Sequence, residues 1–375
     1  MDNFIVTYFL NCKNNAKSLF FACLMPFLLT ACEDNKIKEF VDEFGDSDDS
    51  SICTEDNTTV EFKQIAYWSV TDNETLDDID FSMLTHIIYN KIGVESDGDL
   101  ILPKGDDLDE FKEMIDLAHG ASDSSTYIYA MVSIGNSTDS AFNAIAADDG
   151  ALDNFRDQVE DLISDYDLDG IDINWQFPED GDEGDLFEDL LKEMNDLATD
   201  ENILLSYVVD SGQDDDATDD GVKDDVLEYG DFLNVLALNT TDSDDLHSSL
   251  EDSQEAIAYW ADRCVVKNRL VVAIPAYSQG DGELDYSEIV NDDTDNACVD
   301  ESSNVEDEDG NKYDDINYNG VLTVTDKTAY AQSNAGGVIL TSLEQDYIGE
   351  DDSYDFSLLS TIFRQIDEGG STACD

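Results

Sequence analysis

Eight short apolar runs, each of strand length, recur along the chain after its first sixty residues and constrain the fold more than any other feature. They are Ile65–Trp68, Ile87–Tyr89, Tyr127–Ile134, Gly170–Trp175, Ile203–Val209, Phe232–Leu238, Leu270–Ile274 and Gly337–Leu340. They are continuous and rich in β-branched residues, as strands covered on both faces are. Helical patterns lie between several of them. Leu152, Phe155, Val159, Leu162 and Ile163 share one helical face. Leu186, Phe187, Leu190, Leu191, Met194 and Leu197 share a second; Ala256, Ile257, Trp260, Ala261 and Cys264 share a third. Phe356–Ile366 reads as a closing helix. Eight such runs with interleaved helices predict an α/β chain folded as a single-domain (β/α)8 TIM barrel over residues 61–375. The competing arrangement, a doubly wound sheet, wants a glycine-rich phosphate loop after the first strand, and none follows Trp68.

Charge sets what the barrel can meet. Lys and Arg number 17 against 91 Asp and Glu, a formal net charge of −74 in 375 residues. With 41% hydrophobic and 10% aromatic residues, the chain can nevertheless bury a core. Nucleic acid is excluded as a partner, since phosphate binding needs basic patches. Anionic membrane surfaces repel the chain too. Self-repulsion on this scale is relieved by salt, which favours a halophilic setting; the plainer reading is an acidic surface kept for solubility.

The amino-terminal sixty residues read as addressing rather than fold. Lys13 and Lys17 precede an apolar stretch, Leu19 to Leu29, of signal-peptide proportions. Leu29-Thr30-Ala31-Cys32 resembles a bacterial lipobox, which implies removal of residues 1–31, lipidation of Cys32 and anchoring of an exported protein at the outer membrane or cell surface. Residues 32–60 are acidic and read as a tether. Beyond the signal, Cys53, Cys264, Cys298 and Cys374 allow two disulfides in any of three pairings. His86, His119 and His247 show no zinc spacing, and His86 lies in an apolar run as a core residue. Asp315, Asn317, Asn319, Gly320 and Asp326 follow the order of a calcium loop, but no helix pattern precedes them; Asp165–Gly170 begins like another, with Gln176 at its last ligand position. Neither a metal nor a cofactor is expected.

The stretch Asp167-Leu168-Asp169-Gly170-Ile171-Asp172-Ile173-Asn174-Trp175-Gln176-Phe177-Pro178 carries the chemistry. It resembles the fourth-strand DGxDxDxE signature of family 18 glycoside hydrolases, the chitinases and endo-N-acetylglucosaminidases. Asp169, Gly170 and Asp172 match it, whereas Asn174 and Gln176 stand where that family has carboxylates. Leu84–Tyr89, Ser133-Ile134-Gly135-Asn136, Asp231–Asn239, Asp326–Ala331 and Gly336–Asp346 resemble other strands of the family in order.

The resemblance implies a retaining glycosidase site with one protein acid and the substrate's acetamido group as nucleophile. Period two places Asp172, Asn174 and Gln176 on one strand face. An amide at Gln176 donates a hydrogen bond but transfers no proton. Leu238 and Thr341 stand where the family has a tyrosine and a tryptophan. The motif is therefore degenerate, and general acid help worth about 10²–10⁴-fold is absent. Tyr67, Trp68, Tyr89, Trp175, Asn239 and Tyr277, with Phe177 and Tyr207, are candidate contacts for a chitin-type glycan. Three readings stay open: a glycan binder without efficient hydrolysis, an active glycosidase with its acid relocated to Glu179 or Asp180, and a protein-interaction scaffold.

Overall fold

In the computed structural model, residues 61–71, 76–122, 126–135, 140–179, 181–212, 221–238, 247–280, 282–307, 309–348, 355–370 and 374 are described. The proposed signal, Cys32, the tether and Cys53 lie outside them, as does Asn239.

Eight parallel strands close on themselves. They are β1 (Lys63–Trp68), β2 (His86–Val94), β3 (Tyr129–Gly135), β4 (Gly170–Asn174), β5 (Leu204–Asp210), β6 (Phe232–Leu236), β7 (Leu270–Pro275) and β8 (Gly337–Thr341). Each pairs with its neighbours in chain order, and β1 closes the ring by pairing both β2 (Ile65 with His86) and β8 (Lys63 with Gly337). Helices cover the outside: α1 (Asp106–Ala121), α2 (Ser140–Ala146), α3 (Asp149–Tyr166), α4 (Asp182–Glu201), α5 (Leu250–Asp262), α6 (Tyr286–Asp292), α7 (Val321–Asn334) and α8 (Leu358–Glu368). This is the (β/α)8 barrel that the eight runs predict.

Strand alternation sorts side chains into two layers. Ile65, Tyr67, Ile88, Met131, Phe232, Val271, Ala273 and Ile339 fill the barrel interior. The residues between them, such as Ala66, Ile87, Val132, Ile171, Leu233, Val272 and Leu340, face the helices and belong to the larger outer core. The predicted helical faces meet that layer. Phe155, Val159, Leu162 and Ile163 are buried on α3, and Phe187, Leu190, Leu191, Met194 and Leu197 on α4. On α5 the buried face is Ala256, Ile257 and Trp260, while Ala261 is exposed, one step past the stripe.

Local signals set the helix ends. Asp148 caps α3 by accepting from the N–H groups of Gly150 and Ala151. Ser249 and Asp252 form a capping box on α5. Where strands crowd, only glycine fits. A Cβ on Gly170 would lie 2.8 Å from the Leu204 carbonyl oxygen, and one on Gly135 2.6 Å from that of Asn174.

A small insertion separates β7 from α7, with Gln279–Gly280 and Glu301–Ser302 flanking Ile316–Asn317 in an antiparallel sheet. Cys298 in this insertion is bonded to Cys374 with a Cα separation of 5.6 Å. Cys264 is disulfide-bonded as well. The calcium-loop order at 315–326 is not realised as a loop. Asn317 is in that sheet, Gly320 caps α7 and Asp326 lies within α7. Among the described residues no cluster of three or more metal-ligating side chains occurs.

Candidate active site

β4 delivers the motif to the carboxyl-terminal end of the barrel. Gly170 starts the strand in the crowded base, and the alternation then turns Asp172 and Asn174 inward. Gln176 comes two residues further and is exposed at the mouth.

Asp172 is fully buried and saturated with donors. Its Oδ2 accepts from the Tyr67 hydroxyl (2.8 Å) and the Ser133 hydroxyl (2.8 Å). Its Oδ1 accepts from the Ser206 hydroxyl (2.7 Å) and Asn234 Nδ2 (3.0 Å). The donors come from β1, β3, β5 and β6, so one carboxylate ties half the barrel together. Burial pushes the Asp172 carboxyl above its ordinary range, and these four hydrogen bonds pull the other way. The Tyr67 hydroxyl, which also accepts from Asn234 Nδ2 at 3.0 Å, is pushed well above 10 by burial and by the neighbouring Asp172. Asn174 is 7% exposed and its Nδ2 donates to Ser133 Oγ at 3.3 Å. Ser133, Ser206 and Asn234 were not among the candidates. Their signal was present all the same: each is a lone polar residue inside an apolar strand run.

The other residues of the motif and its aromatics separate by strand face. Asp169 precedes β4 at the opposite end of the barrel from Gln176. It accepts from the Tyr127 hydroxyl (2.7 Å) and the Ala130 N–H (2.8 Å) and pairs with His119 Nε2 (2.9 Å). Asp169 therefore fastens α1 and β3 to β4 at the base and does not meet Asp172 at the mouth. Trp175 is 1% exposed and stacks on Phe142 with centroids 5.3 Å apart. Trp68 and Tyr89 pack on one another in the outer core, and Tyr207 is buried there too. As glycan contacts, Trp68, Tyr89 and Trp175 are corrected: odd steps along their strands turn them to the helices. Tyr67 faces inward but has its hydroxyl committed to Asp172, so it supports the carboxylate instead of offering a sugar platform.

Tyr277 and Phe177 are half-buried just past β7 and β4. The Tyr277 ring lies 5.3 Å from that of His247, and burial, with Glu283 nearby, lifts its hydroxyl to about 12 against a hydrogen bond with Thr341. Thr341 ends β8 and is 7% exposed, and Leu238 packs on the interior cluster from beyond β6. Glu179 is exposed, and its N–H donates to Glu183; Asp180 lies outside the described residues. Glu344, in the turn after β8, accepts from the Ser69 N–H at 3.1 Å beyond β1. Burial raises its carboxyl to about 7. His86 is buried at the base of the interior, stacked on Tyr129, and burial with Lys63 lowers it to about 3. That is the core role its apolar run predicts.

Residues 63–346 match the sequence model of glycosyl hydrolases family 18. A chitinase-like mite allergen from Dermatophagoides farinae is 25% identical over 246 residues, 63% of this chain and 51% of the allergen. The chain thus spans about half the length of that curated relative. Among solved structures, a chitinase from the chitin utilization locus of Flavobacterium johnsoniae superposes with a TM-score of 0.68 at 20% identity, covering 83% of this chain and 95% of the other. A glutamate-to-glutamine mutant of a class V chitinase from Nicotiana tobaccum, in complex with NAG4, does so with a TM-score of 0.67 at 17% identity, covering 82% and 99%.

Proposed function

This chain belongs to glycosyl hydrolase family 18, and we propose that its chitinase-like barrel binds chitin-type or other N-acetylglucosamine-containing glycans without efficient hydrolysis. One observation carries the reading. Of the three motif positions Asp172, Asn174 and Gln176, only Asp172 is ionisable, and it is sealed from solvent behind four hydrogen bonds. The group presented at the mouth is the Gln176 amide, which binds a sugar oxygen but cannot protonate it. The complex of a glutamine mutant with NAG4 in the Nicotiana chitinase supports the idea that such a barrel keeps its ligand. Tyr277, Phe177 and Leu238 supply apolar surface around the mouth.

The same proposal has the protein exported and held at the outer membrane or cell surface through a lipid on Cys32, with residues 32–60 as the tether. Among the described residues no helix is long and apolar enough to cross a membrane. The charge of −74 supports a saline setting.

Calorimetric titration with soluble chito-oligosaccharides in high salt tests the function. Saturable heat that decays after each injection is the expected result. Sustained heat flow would mean turnover and would overturn the reading of Gln176.

A further inference from the structure

Lys327, in the middle of α7, is a lysine turned away from water. It is 2% exposed, and its Nζ donates to Ser248 Oγ at 2.8 Å. Ser248 Oγ donates in turn to the Ala237 carbonyl oxygen at 2.5 Å, one residue past β6. Ser248 is itself buried and has a left-handed backbone, φ 49°. That conformation costs a residue with a Cβ and persists only where neighbours fix it. The two hydrogen bonds of its hydroxyl are such a fixture. The residue before it carries the relay to the mouth. The His247 carbonyl oxygen accepts from Asn319 Nδ2 at 2.7 Å, and the His247 ring lies 5.3 Å from that of Tyr277. Leu238, next to Ala237, packs on the interior cluster. One buried nitrogen on α7 is therefore two hydrogen bonds from the backbone that presents Leu238, and the same segment packs on Tyr277.

The charge of Lys327 sets the direction of the relay. An ammonium donates and cannot accept, so Ser248 Oγ must accept from it and the single hydroxyl hydrogen goes to Ala237. A neutral amine has a lone pair, which competes with the Ala237 carbonyl for that hydrogen. Burial lowers Lys327 to about 7, against the attraction of Asp252 on α5 and Asp300 in the insertion. Burial and Lys327 lower the His247 ring to about 4, and Tyr277 stands at about 12, so both are neutral between about pH 6 and pH 9. Lys327 is the member of this cluster whose charge changes there.

We propose that Lys327 is a positioning residue for the glycan: as an ammonium it keeps the Ser248 hydroxyl on the Ala237 carbonyl, and so sets Leu238 and Tyr277 for binding. The proposal rests on the glycan-binding reading of the mouth and adds a control on it. Coupling of this kind is reciprocal, so glycan binding draws a proton onto Lys327 near neutral pH.

The test titrates the fully acetylated chito-tetrasaccharide, which carries no charge, calorimetrically at about pH 6 and about pH 9 in high salt. The parent should bind about fivefold more tightly at the lower pH. Lys327→Met keeps a long side chain without a charge, and Ser248→Gly removes the hydroxyl while suiting the left-handed backbone. Either variant should bind equally at both pH values, and the second carries the comparison if the first does not fold. Burial lifts Glu344 to about 7 and Asp346 to about 6 in parent and variants alike. A pH dependence that survives in the variants therefore belongs to those acids; it overturns the role of Lys327 and leaves the mouth reading intact. So does a parent whose affinity is level across the range. A second readout needs no ligand. In tyrosine-labelled protein, the Tyr277 ring resonance, identified by its loss in Tyr277→Phe, should shift with a midpoint at about pH 7 in the parent and stay fixed in the variants. Absence of glycan binding with that shift present overturns the mouth reading and keeps the relay. Absence of the shift in the parent overturns the relay whatever the glycan does.

Discussion

The Asn174 amide reaches the Asp172 carboxylate through a single hydroxyl. Ser133 Oγ receives Asn174 Nδ2 at 3.3 Å and donates its hydrogen to Asp172 Oδ2 at 2.8 Å. A hydroxyl has one hydrogen, and that of Ser133 is committed. Position 174 must therefore present a donor in this barrel. The Asn174 amide satisfies the relay without taking a proton from solvent, so it suits the packing around it.

Asn174→Asp inverts that requirement. The new carboxylate would face an oxygen in a site where Asn174 is 7% exposed, so its folded pKa rises above the unfolded value near 4. For a raised acid, stability is full below the unfolded pKa and is lost as pH rises through the folded one. The variant should match the parent at about pH 4 and fall about 1–3 kcal/mol below it at pH 7. Thermal melting of both proteins across that range checks this; a gap of equal size at both pH values would contradict it.

Adding Gln176→Glu places a carboxylic acid at the mouth. Residue 176 is exposed at the mouth, so a carboxylate there folds without burying charge, and it gives the protonated acid introduced two residues earlier a partner. General acid catalysis contributes about 10²–10⁴-fold. The double variant Asn174→Asp, Gln176→Glu should hydrolyse chito-oligosaccharides at least about 10²-fold faster than the parent. No gain would place the obstacle elsewhere in the mouth, with Leu238 and Thr341 the next positions to vary.

The barrel was legible because its strands are buried on both faces and so stand out as unbroken apolar runs. The inward set of β4 was legible from period two once Asp172 was taken as facing in. That parity also sends Trp175 outward, so its burial against Phe142 could have been read from the same count. Trp68 and Tyr67 are harder. In a parallel strand covered on both sides neither neighbour is marked polar, and only the Asp172 contact tells which one faces in. Lys327, Glu344 and Asn319 were not legible as buried polar groups. Each owes its burial to a segment distant in sequence, and local composition does not record that.

Glu344 offers a second pH handle, independent of the motif. It is 9% exposed, its oxygen accepts from the Ser69 N–H, and burial raises it to about 7. Its neutral form is native-like below the unfolded pKa near 4, and that stability is lost as pH rises through about 7. Glu344→Gln is neutral throughout. It should equal the parent at about pH 4 and exceed it at pH 8 by on the order of 3 kcal/mol. The difference between the two melting curves isolates Glu344 from Asp346, which burial lifts to about 6 and which both proteins share. A parent that stays level with the variant from pH 4 to pH 8 would mean that Glu344 is ionised and solvated in the folded protein.

Salt acts on the whole surface. The few cations already sit among several acids: Arg156 pairs with Glu193 and Asp200, and Lys223 with Asp185 and Glu188. With 17 basic residues against 91 acidic ones, most carboxylates can have no such partner. Raising NaCl from about 0.1 M to 1 M shortens the Debye length from about 10 Å to about 3 Å and quenches their repulsion beyond nearest neighbours. The melting point should rise by at least about 5 °C over that range. Any salt screens, so low guanidinium chloride, below the concentration at which it denatures, should raise the melting point as NaCl does at equal ionic strength. Stabilisation by NaCl with none from guanidinium chloride would point to preferential exclusion or specific ion binding. No stabilisation by either would mean that the acidic groups are spaced widely enough to coexist without salt.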